Sequence, residues 1–142
     1  MKIDEIKDGI VIDHITAGKS MQIYHLLGLD ALRCSVALIK NVNSHKMGKK
    51  DIIKIDTDYE VDTDVLGYVD PGATISIIRD GKIVEKRTLS LPEKLTGVLT
   101  CKNPRCITAT EQELSHIFFL SDKDAGVYRC LYCETKAEKP TL

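Results

Sequence analysis

Four cysteines in the last third of the chain constrain its fold more than any other feature. Cys101 and Cys106 form a C-x4-C pair, Cys130 and Cys133 form a C-x2-C pair, and 23 residues separate the two pairs. Two close cysteine pairs joined by a longer loop are typical of a small fold that presents four thiolates to one tetrahedral metal ion. Two disulfides are the alternative, but a cytosolic chain keeps its thiols reduced. The spacing therefore predicts one structural Zn²⁺ ion per chain.

A site with four cysteine ligands has no open position for water or substrate, so the predicted metal is structural rather than catalytic. The segment that contains it has few large apolar side chains. A piece of about 45 residues with so small a core needs additional stabilisation. We therefore expect metal binding and folding of this segment to be coupled.

The residues before this segment predict an α+β domain. Runs of β-branched residues and runs with helical spacing follow one another in the order β-α-β-β-α-β, and Asp80-Gly81 between two apolar runs adds a hairpin. This order is that of a ferredoxin-like fold, an antiparallel sheet with two helices on one face. The expected strands are 9–15, 33–42, 49–55, 74–78 and 82–88, and the expected helices are 19–27 and 58–69.

The run SLPEK at 90–94 interrupts both patterns and predicts a domain boundary. We therefore expect one domain over residues 1–94 and a small β-rich zinc-binding domain over residues 95–142. Between positions 51 and 70 acidic residues greatly outnumber basic ones, and this acidic run predicts a solvated helix face.

Charge and hydropathy exclude several classes of function. The chain has 20 basic and 21 acidic residues, and this balance disfavours a non-specific nucleic-acid-binding protein. No apolar run approaches the roughly 20 residues of a membrane span. The first eight residues alternate charged and apolar side chains, unlike a signal peptide. We expect a cytoplasmic protein with neither a nucleic-acid nor a membrane partner.

The first 94 residues contain no convincing catalytic set. The Gly-Lys-Ser run at 18–20 resembles the end of a phosphate loop, but Asp13 occupies the position where that motif requires glycine. Cys34 has alternating apolar neighbours and is predicted to be a core residue rather than a nucleophile. Asp13 and His14 either mark the exit of a strand, or form a site in which His14 and lysines meet a phosphate while Asp13 accepts from a sugar hydroxyl.

Several stretches together resemble one known family. They are IVIDHI at 10–15, MGKKDIIKI at 47–55, SLPE at 90–93 and the four-cysteine set, and they occur in the order found in the regulatory chain of aspartate carbamoyltransferase. The resemblance extends from about residue 3 to residue 135. It implies a ferredoxin-like allosteric domain followed by a zinc domain, in a chain that is not itself an enzyme.

The resemblance also implies partners and ligands. The family chain forms a homodimer through its N-terminal domain, and its zinc domain docks on the catalytic chain that acts in pyrimidine biosynthesis. CTP and UTP inhibit the family enzyme, and ATP activates it by competing for the same site. Residues Asn103, Arg105 and Glu134 flank the cysteines and would face the catalytic chain.

A nucleotide site is implied residue by residue. Its members would be Ile3, Asp4 and Ile6 near the base, Asp13 and Lys54 at the ribose, His14 and Lys86 at the phosphates, and Val11, Lys50, Ile78, Ile83 and Val84 in the lining. The sequence differs from the family pattern at three positions. It has Asp4 in place of glutamate, Ser76 in place of a longer amide and Gly81 in place of an aromatic residue. These differences bear on base discrimination and on the sign or size of each nucleotide's effect.

Two other classes remain open on the residues alone. A nucleic-acid-binding zinc ribbon would explain the cysteines but predicts a basic surface studded with aromatic residues. A standalone nucleotide sensor, or a small ligand-responsive enzyme, would explain the first domain. Co-purification with a catalytic chain would distinguish a regulatory subunit from the standalone proteins.

Overall fold

The structure is a computed structural model that describes residues 7–138. The chain divides into two compact units, Met1–Ser90 and Leu91–Leu142, called here the first and the second unit. Each unit has its own sheet, and each is described separately.

The first unit is built on a five-stranded antiparallel sheet. Its strands are β1 (Gly9–Thr16), β2 (Val36–Ser44), β3 (Gly48–Ile55), β4 (Thr74–Arg79) and β5 (Lys82–Thr88), arranged in the order β2-β3-β1-β4-β5. Its helices are α1 (Ser20–Leu26) and α2 (Thr63–Val69), with a 3-10 turn at Leu29–Ala31. The antiparallel sheet, its few helices and the separate small β unit confirm the predicted α+β class with a second, smaller domain.

The core of the first unit lies on one face of this sheet. Ile12 of β1 lies opposite Ile53 of β3 and Ile75 of β4, and all three are 0–1% exposed. Directly opposed residues of antiparallel strands project from the same face, so these isoleucines form one apolar layer. Ile23 of α1 and Leu66 of α2 are buried as well. The opposite face of the sheet carries the polar residues of the same strands.

Helix α2 is shorter than the sequence predicted. It begins at Thr63 rather than at residue 58, because Asp62 caps it: its Oδ1 accepts hydrogen bonds from the backbone N–H groups of Asp64 (3.1 Å) and Val65 (3.2 Å). Upstream, the Tyr59 hydroxyl donates to the Leu27 carbonyl at 2.8 Å. Strand β2 likewise begins at Val36 rather than at residue 33, and Cys34, predicted as a core residue, is only partly buried.

The hairpin between β4 and β5 forms at the predicted Asp-Gly pair. Asp80 has φ +53° and Gly81 has φ +73°. Two consecutive left-handed residues match the right-handed twist of the flanking strands, and glycine adopts this conformation without steric cost.

The second unit contains a three-stranded antiparallel sheet of β6 (Lys94–Thr96), β7 (Ile117–Asp122) and β8 (Val127–Cys130), with the short helix α3 (Ile107–Thr110). Strand β6 was not predicted, since its three residues are too short to show a period. The side chains of Leu95, Phe118 and Tyr128 form the small core of the second unit. Within residues 7–138, none of the helices has the length and apolarity that crossing a membrane requires.

Candidate metal centre and ligand-binding face

The four cysteines of the second unit converge, with all their Sγ atoms within 4.8 Å of one another. Cys101 and Cys133 have their sulfur atoms 3.5 Å apart, and Cys106 and Cys130 have theirs 3.8 Å apart. A disulfide would bring two sulfur atoms to about 2.05 Å. Four sulfur atoms placed tetrahedrally at about 2.3 Å from one ion would be separated by about 3.8 Å. The donor set and its spacing therefore fit a tetrahedrally coordinated metal ion.

Each cysteine pair is carried by a tight turn. In the first turn the Cys106 N–H donates to the Asn103 carbonyl at 3.1 Å, and the Asn103 side chain accepts from the Arg105 N–H at 3.0 Å. In the second turn the Glu134 N–H donates to the Cys130 carbonyl at 2.8 Å, with Glu134 itself at φ +63°. These hydrogen bonds within the two turns orient both cysteine pairs towards one another.

Residues outside the cluster support the sulfur atoms. The Thr108 hydroxyl donates to Cys106 Sγ at 3.1 Å, and Thr135 Oγ1 is hydrogen-bonded to Cys133 Sγ at 3.1 Å. Asn103 Nδ2 donates to Thr135 Oγ1 at 3.2 Å, which connects the two turns. No spacing rule in the sequence indicated these threonines, because each acts through a contact made only in the folded unit.

The thiols differ in their affinity for protons. Burial raises the pKa of the Cys101 thiol to about 12, whereas the hydrogen bond with Thr135 lowers the pKa of Cys133 to about 6. Burying several thiolates together is unfavourable without a neutralising cation. A metal ion would replace the thiol protons and hold all four sulfur atoms as thiolates.

In the first unit, the face of the sheet opposite the core carries most of the implied nucleotide-site residues. Strand register places Lys54, Val11, Ser76 and Lys86 side by side on β3, β1, β4 and β5. Three strand spacings of about 4.8 Å put the backbones of Lys54 and Lys86 roughly 14 Å apart. This row thus has a lysine at each end and the small side chains of Val11 and Ser76 between them.

Asp13 and His14 form a bulge beside this row. His14 has φ +56°, a left-handed conformation that costs an L-residue about 1–2 kcal/mol. Its N–H donates to Asp13 Oδ1 at 2.6 Å, and its Nδ1 lies 3.0 Å from Thr74 Oγ1. Lys50 Nζ forms an ion pair with Asp13 Oδ1 at 3.0 Å. Burial alone would raise the pKa of Asp13, but the hydrogen bonds from Lys50 and from the His14 N–H outweigh it and lower that pKa.

Apart from Val11, the apolar members of the implied site lie beside this row, towards the hairpin between β4 and β5. Ile78 is opposite both Gly9 of β1 and Ile83 of β5. Ile83 is 55% exposed and Val84 is 59% exposed, so both present apolar surface. The remaining implied residues, Ile3, Asp4 and Ile6, lie outside the described residues.

Two aspartates that the sequence placed on a solvated face are buried instead. Asp51 is 0% exposed and Asp70 is 4% exposed. Asp70 accepts hydrogen bonds from the Thr16 N–H (2.6 Å) and hydroxyl (3.1 Å). Asp51 accepts three hydrogen bonds from Gly18 and Ser20, and the one from the Ser20 hydroxyl is the shortest at 2.6 Å. The prediction was wrong for this pair because the acidic run spans β3 and α2, and the aspartates at its two ends point inwards and bind the segment from the end of β1 to the start of α1.

The fold and the cysteine cluster define a two-domain protein in which a ferredoxin-like unit with lysines on one face of its sheet is joined to a four-cysteine metal-binding unit. Residues 1–90 match the family of the aspartate carbamoyltransferase regulatory chain, allosteric domain, and residues 93–141 match its metal binding domain. The chain therefore belongs to the aspartate carbamoyltransferase regulatory chain family, and the resemblance read from the sequence is confirmed.

Individual relatives agree with this assignment. The aspartate carbamoyltransferase regulatory chain of Clostridium tetani is 52% identical over 135 residues, which cover 94% of each chain. That of Clostridium botulinum is 49% identical over 134 residues, which cover 94% of this chain and 92% of the relative. That of Bifidobacterium longum is 44% identical over 138 residues, which cover 97% and 99%. The chain is thus a regulatory, non-catalytic chain with an allosteric and a metal-binding domain.

Proposed function

We propose that this chain binds nucleoside triphosphates on the cationic face of its first unit and transmits their effect to the catalytic chain of aspartate carbamoyltransferase, in pyrimidine biosynthesis in the cytoplasm. CTP and UTP would inhibit and ATP would activate. The observation that carries the proposal is the row from Lys54 to Lys86, with the Asp13–His14 bulge and Lys50 beside it.

The chemistry of this face suits a nucleotide. Lysine ammonium groups bind phosphate as point charges, which supports Lys86 at the triphosphate, and a ring N–H of His14 would donate to the same oxygens. The Asp13 carboxylate, whose pKa is lowered by Lys50 and by the His14 N–H, can accept from a ribose hydroxyl beside Lys54. The exposed apolar surface of Ile83 and its neighbours would contact the sugar or the base.

The four cysteines would hold one Zn²⁺ ion per chain. Four thiolates select a soft or borderline-soft ion with tetrahedral geometry, and Zn²⁺ is the usual occupant of such a site. When bound, the ion supplies folding energy rather than catalysis. Cys101, Cys106, Cys130 and Cys133 would be its ligands.

Each unit would bind a protein partner. We assign the allosteric role and homodimer formation to residues 1–94, where β2 and β5 are the outer strands of the sheet. We assign docking on the catalytic chain to residues 95–142. There Ile107 (50% exposed), Leu131 (46%) and Tyr132 (41%) present apolar surface next to the cysteines. Asn103, Arg105 and Glu134 would add polar contacts.

A nucleotide changes catalysis only if it binds two quaternary states of the enzyme unequally. Coupling between sites is typically about 1–3 kcal/mol, so each effector would change the apparent aspartate affinity by roughly 5–150-fold at most. The expected route is a domain movement that the zinc-binding unit passes to the catalytic chain.

The test is reconstitution of the full chain with Zn²⁺ and its cognate catalytic trimer. Aspartate saturation is then recorded with ATP, CTP and UTP added separately. Lys86→Ala should abolish the responses while leaving the complex assembled. Lys82→Ala is the matched control. Lys82 lies on the same strand, but its neighbour Ile83 faces the site, so the Lys82 side chain projects from the opposite face of the sheet. Equal responses from the two variants would contradict the proposed site.

A further inference from the structure

Asp51 lies between two bulges, one on each side of β3. Between Ile12 and Ile15 strand β1 advances three residues while β3 advances two, from Ile53 to Asp51. On the other side, β2 advances three residues from Ile39 to Val42 while β3 again advances two, from Ile52 to Lys50. Each neighbouring strand therefore carries one extra residue at the same level of β3.

Each bulge contains a non-glycine residue in the left-handed conformation. These are His14 in β1, with φ +56°, and Asn41 in β2, with φ +59°. Such residues persist only where the surrounding structure fixes them, and they cluster at ligand sites and switch regions. One of the two belongs to the proposed nucleotide site.

The Asp51 carboxylate bonds to both sides. Its Oδ2 accepts from the Gly18 N–H (3.1 Å) and the Ser20 hydroxyl (2.6 Å), which follow the first bulge along the chain. Its Oδ1 accepts from the Asn41 N–H (3.0 Å), within the second bulge. Because the carboxylate is 0% exposed, water does not compete for these bonds. A shift of the backbone after β1 would move the same rigid group that holds Asn41.

We infer that Asp51 is a positioning residue that couples the nucleotide site at the β1 bulge to the outer strand β2. This inference rests on the proposed nucleotide site and adds the route by which occupancy reaches the edge of the sheet. Lys50 strengthens the connection, since it precedes Asp51 in the chain and forms the ion pair with Asp13. The residue that follows this lysine on β3 is thus the one whose carboxylate joins the segment after the first bulge to the second bulge.

The experiment measures amide hydrogen exchange and chemical shifts by NMR in the full-length, Zn²⁺-loaded chain, with CTP as the probe. Leu38 of β2 is the internal reference, since it lies opposite Ile53 in the core and reports general stabilisation. In the unsubstituted chain, CTP should slow exchange of the Asn41 amide by roughly fivefold or more beyond its effect on the Leu38 amide. A factor of about five is the lower end of typical allosteric coupling.

Asp51→Asn keeps the shape of the side chain but only one acceptor oxygen, so it cannot accept both from the Gly18–Ser20 segment and from the Asn41 N–H. This variant should lose the excess protection of Asn41 while CTP still shifts the His14 and Lys50 resonances. Asn41→Gly is the matched control, because glycine keeps the N–H donor and tolerates the positive φ. In this control, CTP should slow exchange of the amide at position 41 by the same excess over Leu38 as in the unsubstituted chain. If Asp51→Asn does not fold, Ser20→Ala weakens the same bridge from the other end and should reduce the excess.

Two results overturn the coupling alone. One is the absence of excess protection at Asn41 in the unsubstituted chain while His14 responds to CTP, and the other is excess protection that survives in Asp51→Asn. If CTP, UTP and ATP all leave His14 and Lys50 unchanged, the proposed nucleotide site itself fails, and the coupling fails with it.

Discussion

Replacing Asp51 by alanine should destabilise the first unit by about 3–5 kcal/mol. The change removes the acceptor of three backbone donors, the N–H groups of Gly18, Ser20 and Asn41, in a place that is 0% exposed. Leaving one buried donor unsatisfied costs about 1–3 kcal/mol, and water that enters the small cavity would recover part of the total.

The assay is native-state hydrogen exchange of core amides such as those of Ile12 and Ile53. It reports the free energy of opening the first unit separately from the metal-binding unit. Asp56→Ala is the control, since Asp56 follows β3 directly and is exposed. It should change the free energy by no more than about 0.5 kcal/mol. A loss below about 1 kcal/mol for Asp51→Ala would refute the reasoning, because the buried donors would then have found other partners.

The pH dependence of this effect has a defined sign. Burial would raise the pKa of Asp51, but its hydrogen bonds from Ser20, Asn41 and Gly18 prevail and lower it from 3.8. A carboxyl whose pKa is lower in the folded state stabilises that state at pH values above 3.8, and this contribution is lost as the pH falls through the folded-state value. The difference in stability between the unsubstituted chain and Asp51→Asn should therefore be constant near neutral pH and narrow below pH 3.8.

Three further outcomes are expected. Lys86→Ala should weaken CTP binding in calorimetry without releasing Zn²⁺, and unchanged affinity would argue against the site. Cys130→Ser should abolish retention of Zn²⁺ and then association with the catalytic chain; a stoichiometric zinc content in this variant would contradict the assigned ligands. Gly81→Ala should lower the melting temperature of the first unit at a cost of roughly 1 kcal/mol, because φ +73° strains any residue with a Cβ. Thermal unfolding followed by circular dichroism checks this, and an unchanged melting temperature would speak against the strained turn.

Short-range sequence patterns predicted a large part of the fold. The run of β-branched residues around Ile12 predicted β1, and Asp80-Gly81 predicted the hairpin. The helix expected over 19–27 is α1, whose cap residue Leu27 is followed directly by Gly28 at φ +67°. The cysteine spacing predicted a cluster that the structure brings together within 4.8 Å. Each of these signals depends on residues a few positions apart, or on a pair of tight turns.

Other features were decided by the tertiary structure. Lys54 and Lys86 are 32 positions apart in the chain, and only the order of the strands places them on one row. The start of α2 depended on a capping bond of Asp62 that competed with the helical pattern upstream. Composition and periodicity determined which residues prefer strand, helix or turn. Whether an acidic side chain such as Asp51 faces water or binds buried N–H groups depends on strand register, since the donors that stabilise it come from distant parts of the chain.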